Sequence, residues 1–216
     1  MLIGITGGIC SGKSRVAAYW ARCFTLELLD LDAICRKLLT REQPGWLALK
    51  KHYGDRFFTP DGHLDRPNFR TALFSDQALR NEINSILHPL AGAHMQNQYR
   101  RAEKSVVLAE IPLLFEAGWE HEVDSIVVVY ATGKIRCQRI ITRDQVNRNE
   151  AEQAKAIQWP LRRKIEAADH VIDNTTSWFN TCLQIMHLGR LYSAVTDKDR
   201  RQRTEDGRQI SLRLRR

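Results

Sequence analysis

Residues Gly7-Gly8-Ile9-Cys10-Ser11-Gly12-Lys13-Ser14 satisfy G-x-x-x-x-G-K-[ST] at every fixed position. Glycines at that spacing let the backbone turn tightly enough for successive amide N–H groups to face one anion. A helix that starts immediately afterwards adds the positive end of its dipole. The chemistry implied is the grip of a nucleoside triphosphate. Gly8, Ile9, Cys10, Ser11 and Gly12 line the turn, Lys13 reaches the β- and γ-phosphates, and the Ser14 hydroxyl is the expected magnesium ligand.

Other residues fit the same chemistry. Asp30 and Asp32, in Leu29-Asp30-Leu31-Asp32-Ala33, directly follow a short apolar run. A carboxylate there is placed to take a proton from an attacking hydroxyl, to orient it, or to hold magnesium through water. Asp32 reads equally well as the N-cap of the helix that follows. Arg139 and Arg143 are four apart in a helical segment and share a face; alone they read as a solvated face, but beside a phosphate loop their forks suit phosphoryl oxygens. The seven histidines form no metal-ligand spacing, and His88-Pro89 reads as a helix boundary.

The elements that must hold these groups follow from periodicity. Leu2 to Thr6 is a β-branched strand ahead of the glycine turn, and Lys13 to Phe24 has a helical pattern. Apolar runs of strand length recur at Leu26–Leu29, Val106–Ile111, Ile126–Tyr130 and His170–Ile172. Alternating with helices, they predict a doubly wound α/β domain with a parallel sheet of about five strands. Between Asp32 and Ser105 every periodic segment is helical, which predicts an inserted helical lobe (33–104) over the carboxyl ends of the strands. A second helical interruption, 133–168, is dense in arginine, and Pro160 is placed to start a helix.

With 43% apolar and 27% charged residues, the 216-residue chain is neither disordered nor fibrous. No run of about eighteen apolar residues and no basic leader precedes the first strand, so a cytoplasmic protein without membrane contact is expected. Five scattered cysteines without a C-x-x-C pair read as reduced thiols. Half of the +8 charge lies in Thr196–Arg216, read as a mobile basic tail in which Ile210–Leu214 alternates like a short strand. The body, residues 1–195, is then only mildly cationic, which suits a small anion such as a nucleotide as well as it suits a polymer; lone charged tails are more often solvated ends, so no nucleic-acid partner is expected.

The chain from Met1 to about Tyr192 resembles the dephospho-coenzyme A kinases. The resemblance is carried by Gly4-Ile5-Thr6-Gly7-Gly8 with Ser11-Gly12-Lys13-Ser14, by Asp30-Leu31-Asp32, and by Leu64-Asp65-Arg66 with Phe69-Arg70 and Phe74. It continues through Leu87-His88-Pro89, Ile111-Pro112-Leu113-Leu114-Phe115-Glu116, Gln138-Arg139 with Arg143-Asp144, and Ala168-Asp169-His170-Val171-Ile172-Asp173-Asn174. It implies a P-loop kinase-like sheet with an acceptor-binding helical lobe and a helical lid. The implied reaction is transfer of the γ-phosphoryl group of ATP, with Mg2+, to the ribose 3′-hydroxyl of dephospho-coenzyme A by a monomer or weak homo-oligomer. By the same resemblance Asp30 is the base, Lys13 and Arg139 act on the phosphoryl group, and Arg143 and Asn174 border the nucleotide. Asp32, Arg66, Arg70 and His88 fall on the acceptor side. The family usually has glycine at Cys10 and threonine at Arg15. Cysteine at position 10 requires φ below zero, and a nest of N–H groups beside Lys13 favours its thiolate, hence sensitivity to mild oxidation. Arg15 either faces the α-phosphate or turns outward. Two other readings share the loop: a kinase acting on a nucleoside monophosphate or sugar acid, and a nucleotide-gated binding protein using the basic tail.

Overall fold

The computed structural model describes residues 1–213, with side chains described except at Phe74 and from Asp197 onward. Five strands form one sheet: β1 (Leu2–Gly7), β2 (Glu27–Asp30), β3 (Val107–Glu110), β4 (Ser125–Tyr130) and β5 (His170–Asp173), in the order β2-β3-β1-β4-β5. β1 pairs in parallel with β3 and β4, and β4 with β5. Every residue of β1 is buried, as a central strand covered on both faces requires. The doubly wound parallel sheet is thus the one expected.

The chain divides into two compact units, Met1–Leu28 with Ala102–Arg216, and Leu29–Arg101. In the first, α1 (Lys13–Phe24) turns Val16, Ala17 and Trp20 inward, and α9 (Trp178–Arg213) turns Ile185, Leu188 and Tyr192 inward. Together they close over Ile3, Ile5, Val127, Val129 and Ile172 of the sheet. α6 (Gly133–Asp144), α7 (Arg148–Ala156) and α8 (Leu161–Glu166) occupy the arginine-rich interruption, and Pro160 immediately precedes α8. α9 is helical to Arg213, so Ile210–Arg213 is not the short strand its alternation suggested; Leu214 and the side chains of the basic tail lie outside the described residues. Continuity with a long helix already docked through Tyr192 overrides a local period of two.

The second unit contains α2 (Leu31–Leu38), α3 (Pro44–Tyr53), α4 (Arg66–Ser75) and α5 (Gln77–Arg101), around a core of Leu49, Phe57, Phe69, Leu79 and Ile83. The expected helix boundary at His88-Pro89 is absent, because α5 runs through Pro89. A proline inside a helix removes one backbone bond and crowds one carbonyl. Here the turns on either side are pinned by buried Leu79 and Ile83 before it and Ala91, Gly92 and Met95 after it.

One buried ion pair ties α8 to the segment after β3. Lys164 is fully buried, and its Nζ lies 2.7 Å from Glu116 Oε1. The angle falls outside hydrogen-bond geometry, so the contact is chiefly electrostatic. Glu116 Oε1 also accepts from the Trp159 amide at 2.8 Å, while Phe115 stacks on Trp159 with centroids 5.8 Å apart. Glu116→Ala leaves the ammonium buried and unpaired, and lowers stability in denaturant titration by about 3–5 kcal/mol. The double variant Glu116→Leu/Lys164→Met recovers most of that loss.

Candidate active site

Between β1 and α1 the chain makes the expected phosphate loop. Ser11 N–H donates to Gly8 O at 3.1 Å, closing the turn, and Gly12 caps α1 at φ +96. Only glycine fits at position 12, because that φ is left-handed and a Cβ would overlap the Asn174 amide. Lys13 lies back over the turn, with Nζ 3.5 Å from Gly8 O.

The loop carbonyls are held from one side. Arg139 donates through Nη1 to Cys10 O and Ser11 O, both at 3.3 Å, and through Nη2 to Asn174 O at 3.1 Å. Asn174 Nδ2 donates to Ser11 O at 2.8 Å, and its own Oδ1 accepts from Thr181. Because a trans peptide places C=O and N–H on opposite sides, fixing these two carbonyls turns the Ser11 and Gly12 N–H groups the other way. Arg139, Asn174, Lys13, Ser14 and Arg143 border an open cavity of about 370 Å³. Arg143 is engaged with its neighbour, Nε and Nη2 lying 2.7 and 2.8 Å from the Asp144 carboxylate.

Ser14 Oγ donates to Glu110 Oε1 at 2.6 Å. Glu110 ends β3 beside β1 and is buried. Two hard oxygen donors at the head of α1 fit magnesium, which keeps waters and substrate oxygens in its shell rather than needing a cage of protein ligands. No group of three or more His, Cys, Asp or Glu that could hold a metal ion gathers among the described residues. Glu110 was missed in the sequence; its signal was a lone carboxylate ending an otherwise apolar strand.

Cys10 corrects the sequence expectation twice. Its φ is +57, not negative. Its thiol lies above the ordinary value of 9.0, because burial outweighs the nearby cations Arg143, Lys13 and Arg139. Burial favours the neutral form, so the basis for a reactive thiolate is removed. Arg15 stacks its guanidinium on the Trp178 ring at 3.7 Å while still bordering the phosphate cavity. A further residue missed in the sequence is Gln158, between α7 and α8, whose Oε1 accepts from Ile9 N–H at 2.7 Å.

In the second unit, Asp30 rather than Asp32 caps α2: its Oδ1 accepts from Ala33 N at 3.0 Å, and its half-exposed carboxylate lies 3.7 Å from Arg36. Asp32 sits in the first turn of that helix. Arg66 and Arg70 are exposed, four residues apart on α4. His88 is half-buried in α5, and burial lowers its pKa, so the imidazole is neutral near pH 7.

A parallel sheet whose central strand enters a glycine-rich turn, with lysine and serine heading the next helix, defines a P-loop nucleotide-binding protein of the small-kinase kind. The family model for dephospho-CoA kinase matches residues 1–179, and the chain belongs to that family. It is 35% identical over 175 residues to the dephospho-CoA kinase of Enterococcus faecalis, covering 80% of this chain and 87% of that one. The enzyme of Synechococcus elongatus is 37% identical over 174 residues, with 80% and 83% covered. Among solved structures, a protein of Thermus thermophilus superposes with TM-score 0.73 at 31% identity, over 91% of this chain and 97% of its own. Dephospho-CoA kinase from Campylobacter jejuni shares the fold at TM-score 0.66 and 21% identity, over 92% and 98%.

The state of Cys10 is directly measurable. Its alkylation by iodoacetamide is slow at pH 7 and is still rising with pH at pH 9, and peroxide inactivates wild type and Cys10→Ser at rates within about twofold of each other. Rapid alkylation of Cys10 at pH 7 would contradict the burial argument.

Proposed function

We propose that this protein transfers the γ-phosphoryl group of ATP to the ribose 3′-hydroxyl of dephospho-coenzyme A, giving coenzyme A and ADP, the last step of coenzyme A synthesis. The observation that carries the reading is the phosphate loop whose carbonyls are tied back by Arg139 and Asn174, in a chain of the dephospho-CoA kinase family.

A ribose hydroxyl is too weak an acid to ionise beforehand, so the protein must align it and take its proton late in the transfer. Asp30 fills that role: the 3′-oxygen forms its bond to the γ-phosphorus, the bond to the β,γ-bridging oxygen breaks, and the carboxylate receives the proton. Lys13 and the N–H groups of the loop hold the β- and γ-phosphates against the charge that builds there. Arg139 adds a fixed positive charge behind the loop, and Arg143 exchanges Asp144 for phosphate. Ser14, with Glu110 beside it, would hold Mg2+, which supplies charge neutralisation on the β- and γ-oxygens when bound. Asn174 borders the nucleotide from the cavity wall.

The lobe 33–104 takes the acceptor. Arg66 and Arg70 supply charge for its phosphates, and Asp32 and neutral His88 supply hydrogen bonds. The segment 133–168 serves as the lid that keeps water from the phosphoryl group. No described helix is long and apolar enough to cross a membrane; we place the enzyme in the cytoplasm as a monomer or weak homo-oligomer.

ADP release with dephospho-coenzyme A, compared with a panel of nucleoside monophosphates, tests the acceptor; turnover only with the monophosphates would overturn the assignment. Asp30→Asn lowers kcat by about 10²–10⁴-fold while ATP affinity stays within about twofold. Because Asp30 also caps α2, Asp30→Ser, which can cap but accept no proton, loses the same activity with less loss of stability.

A further inference from the structure

Helix α6 carries a third arginine to which the phosphate-loop motif assigns nothing. Arg136 lies one turn before Arg139 and two before Arg143, so the three leave the helix on one face. Its guanidinium rests against Gly8 in the phosphate loop. A Cβ built on Gly8 would overlap Nη1 and lie 2.9 Å from Cζ, so the arginine occupies the space that glycine leaves.

Arg136 differs from its two neighbours in that its side chain has no hydrogen-bond acceptor among the described residues. Arg139 is satisfied by three carbonyls and Arg143 by Asp144. Arg136 is half-buried, its Nε is sealed from solvent without a partner, and its side chain makes no hydrogen bond or ion pair among the described residues. Glu152, the carboxylate that bears on it most, is held by Lys155 at 2.7 Å. A cation removed from water without a partner is unfavourable until an anion arrives. The position says which anion. Lys13 Nζ, the group that reaches the β- and γ-phosphates, lies on the carbonyl of the same Gly8, so Arg136 stands at the terminal-phosphate end of the loop.

We propose that Arg136 is a catalytic residue of this chain, its guanidinium binding the γ-phosphoryl oxygens of ATP at Gly8 and neutralising their charge during transfer. The inference rests on the kinase reading above. Nucleotide binding without turnover tests it separately.

Affinities for ATP and ADP, each with magnesium, are measured for wild type, Arg136→Gln and Arg136→Lys, together with kcat on dephospho-coenzyme A. For Arg136→Gln, ATP binds about tenfold more weakly and ADP within about twofold of wild type. Its kcat falls by about 10²-fold or more. Arg136→Lys keeps the charge without the fork and restores part of both losses. The nucleotide-free Arg136→Gln protein melts no lower than wild type, since an unpaired cation has been removed. The proposal is overturned if the ratio of ATP to ADP affinity stays within about twofold of wild type in both variants, or if both nucleotides weaken equally. A wild-type protein that prefers ATP through Arg136 yet fails to phosphorylate dephospho-coenzyme A would instead overturn the acceptor assignment alone.

Discussion

The site depends on which way a few peptide planes face. A peptide group has no freedom to separate the direction of its carbonyl from that of its N–H, so anchoring one aims the other. In this loop the anchors are Arg139 and the Asn174 amide, which between them take the carbonyls of Cys10 and Ser11. Without them, the turn between β1 and α1 would collapse onto its own donors, since buried backbone groups must find partners somewhere. Arg139 and Asn174 therefore act before any substrate arrives: with the Ser11 N–H closing the turn on Gly8 O, they leave the Gly12 N–H facing away from the anchored carbonyls.

The same turn is coupled to the arginine-rich helices by packing as well as by charge. Ile9 and Cys10 pack against a small apolar cluster of Cys137, Ile140 and Ala151 on α6 and α7. Ile9 N–H, a donor of the loop itself, is taken by the Gln158 side chain at the end of the same segment. Through this one bond the loop is tied to the α7–α8 connection as well as to α6.

Much of this was legible in the sequence, for definable reasons. The loop, its strand and its helix are written in contiguous residues with strong local constraints, and the parallel sheet follows from short apolar runs buried on both faces. Glu110, Gln158 and Arg136 were not legible, because each acts on the loop across about one hundred or more positions of sequence and none belongs to a local motif. Pro89 misled because the preference of the residue before a proline is a local energy of a few kcal/mol at most, smaller than the packing that holds both flanks of α5. The capping role that Asp32 shared with a catalytic one in the sequence belongs to Asp30, two residues earlier. Asp30 and Asp32 have the same capping chemistry, and only the observed end of β2 distinguishes them.

Cys10 shows how a local rule can fail without harming the site. A non-glycine residue in the left-handed region costs about 1–2 kcal/mol. What cysteine adds over glycine is a thiomethyl group, and here that group is half-buried against Cys137, Ile140 and Ala151 rather than exposed. Burying a group of that size contributes about 1 kcal/mol. The strain is thus offset by packing on α6, the helix that also carries Arg136, Arg139 and Arg143. The raised thiol pKa has the same origin, since the contact that offsets the backbone strain is also what removes the sulfur from water. One helix consequently fixes the loop's carbonyls, fills behind its one strained side chain and brings three cations to its edge.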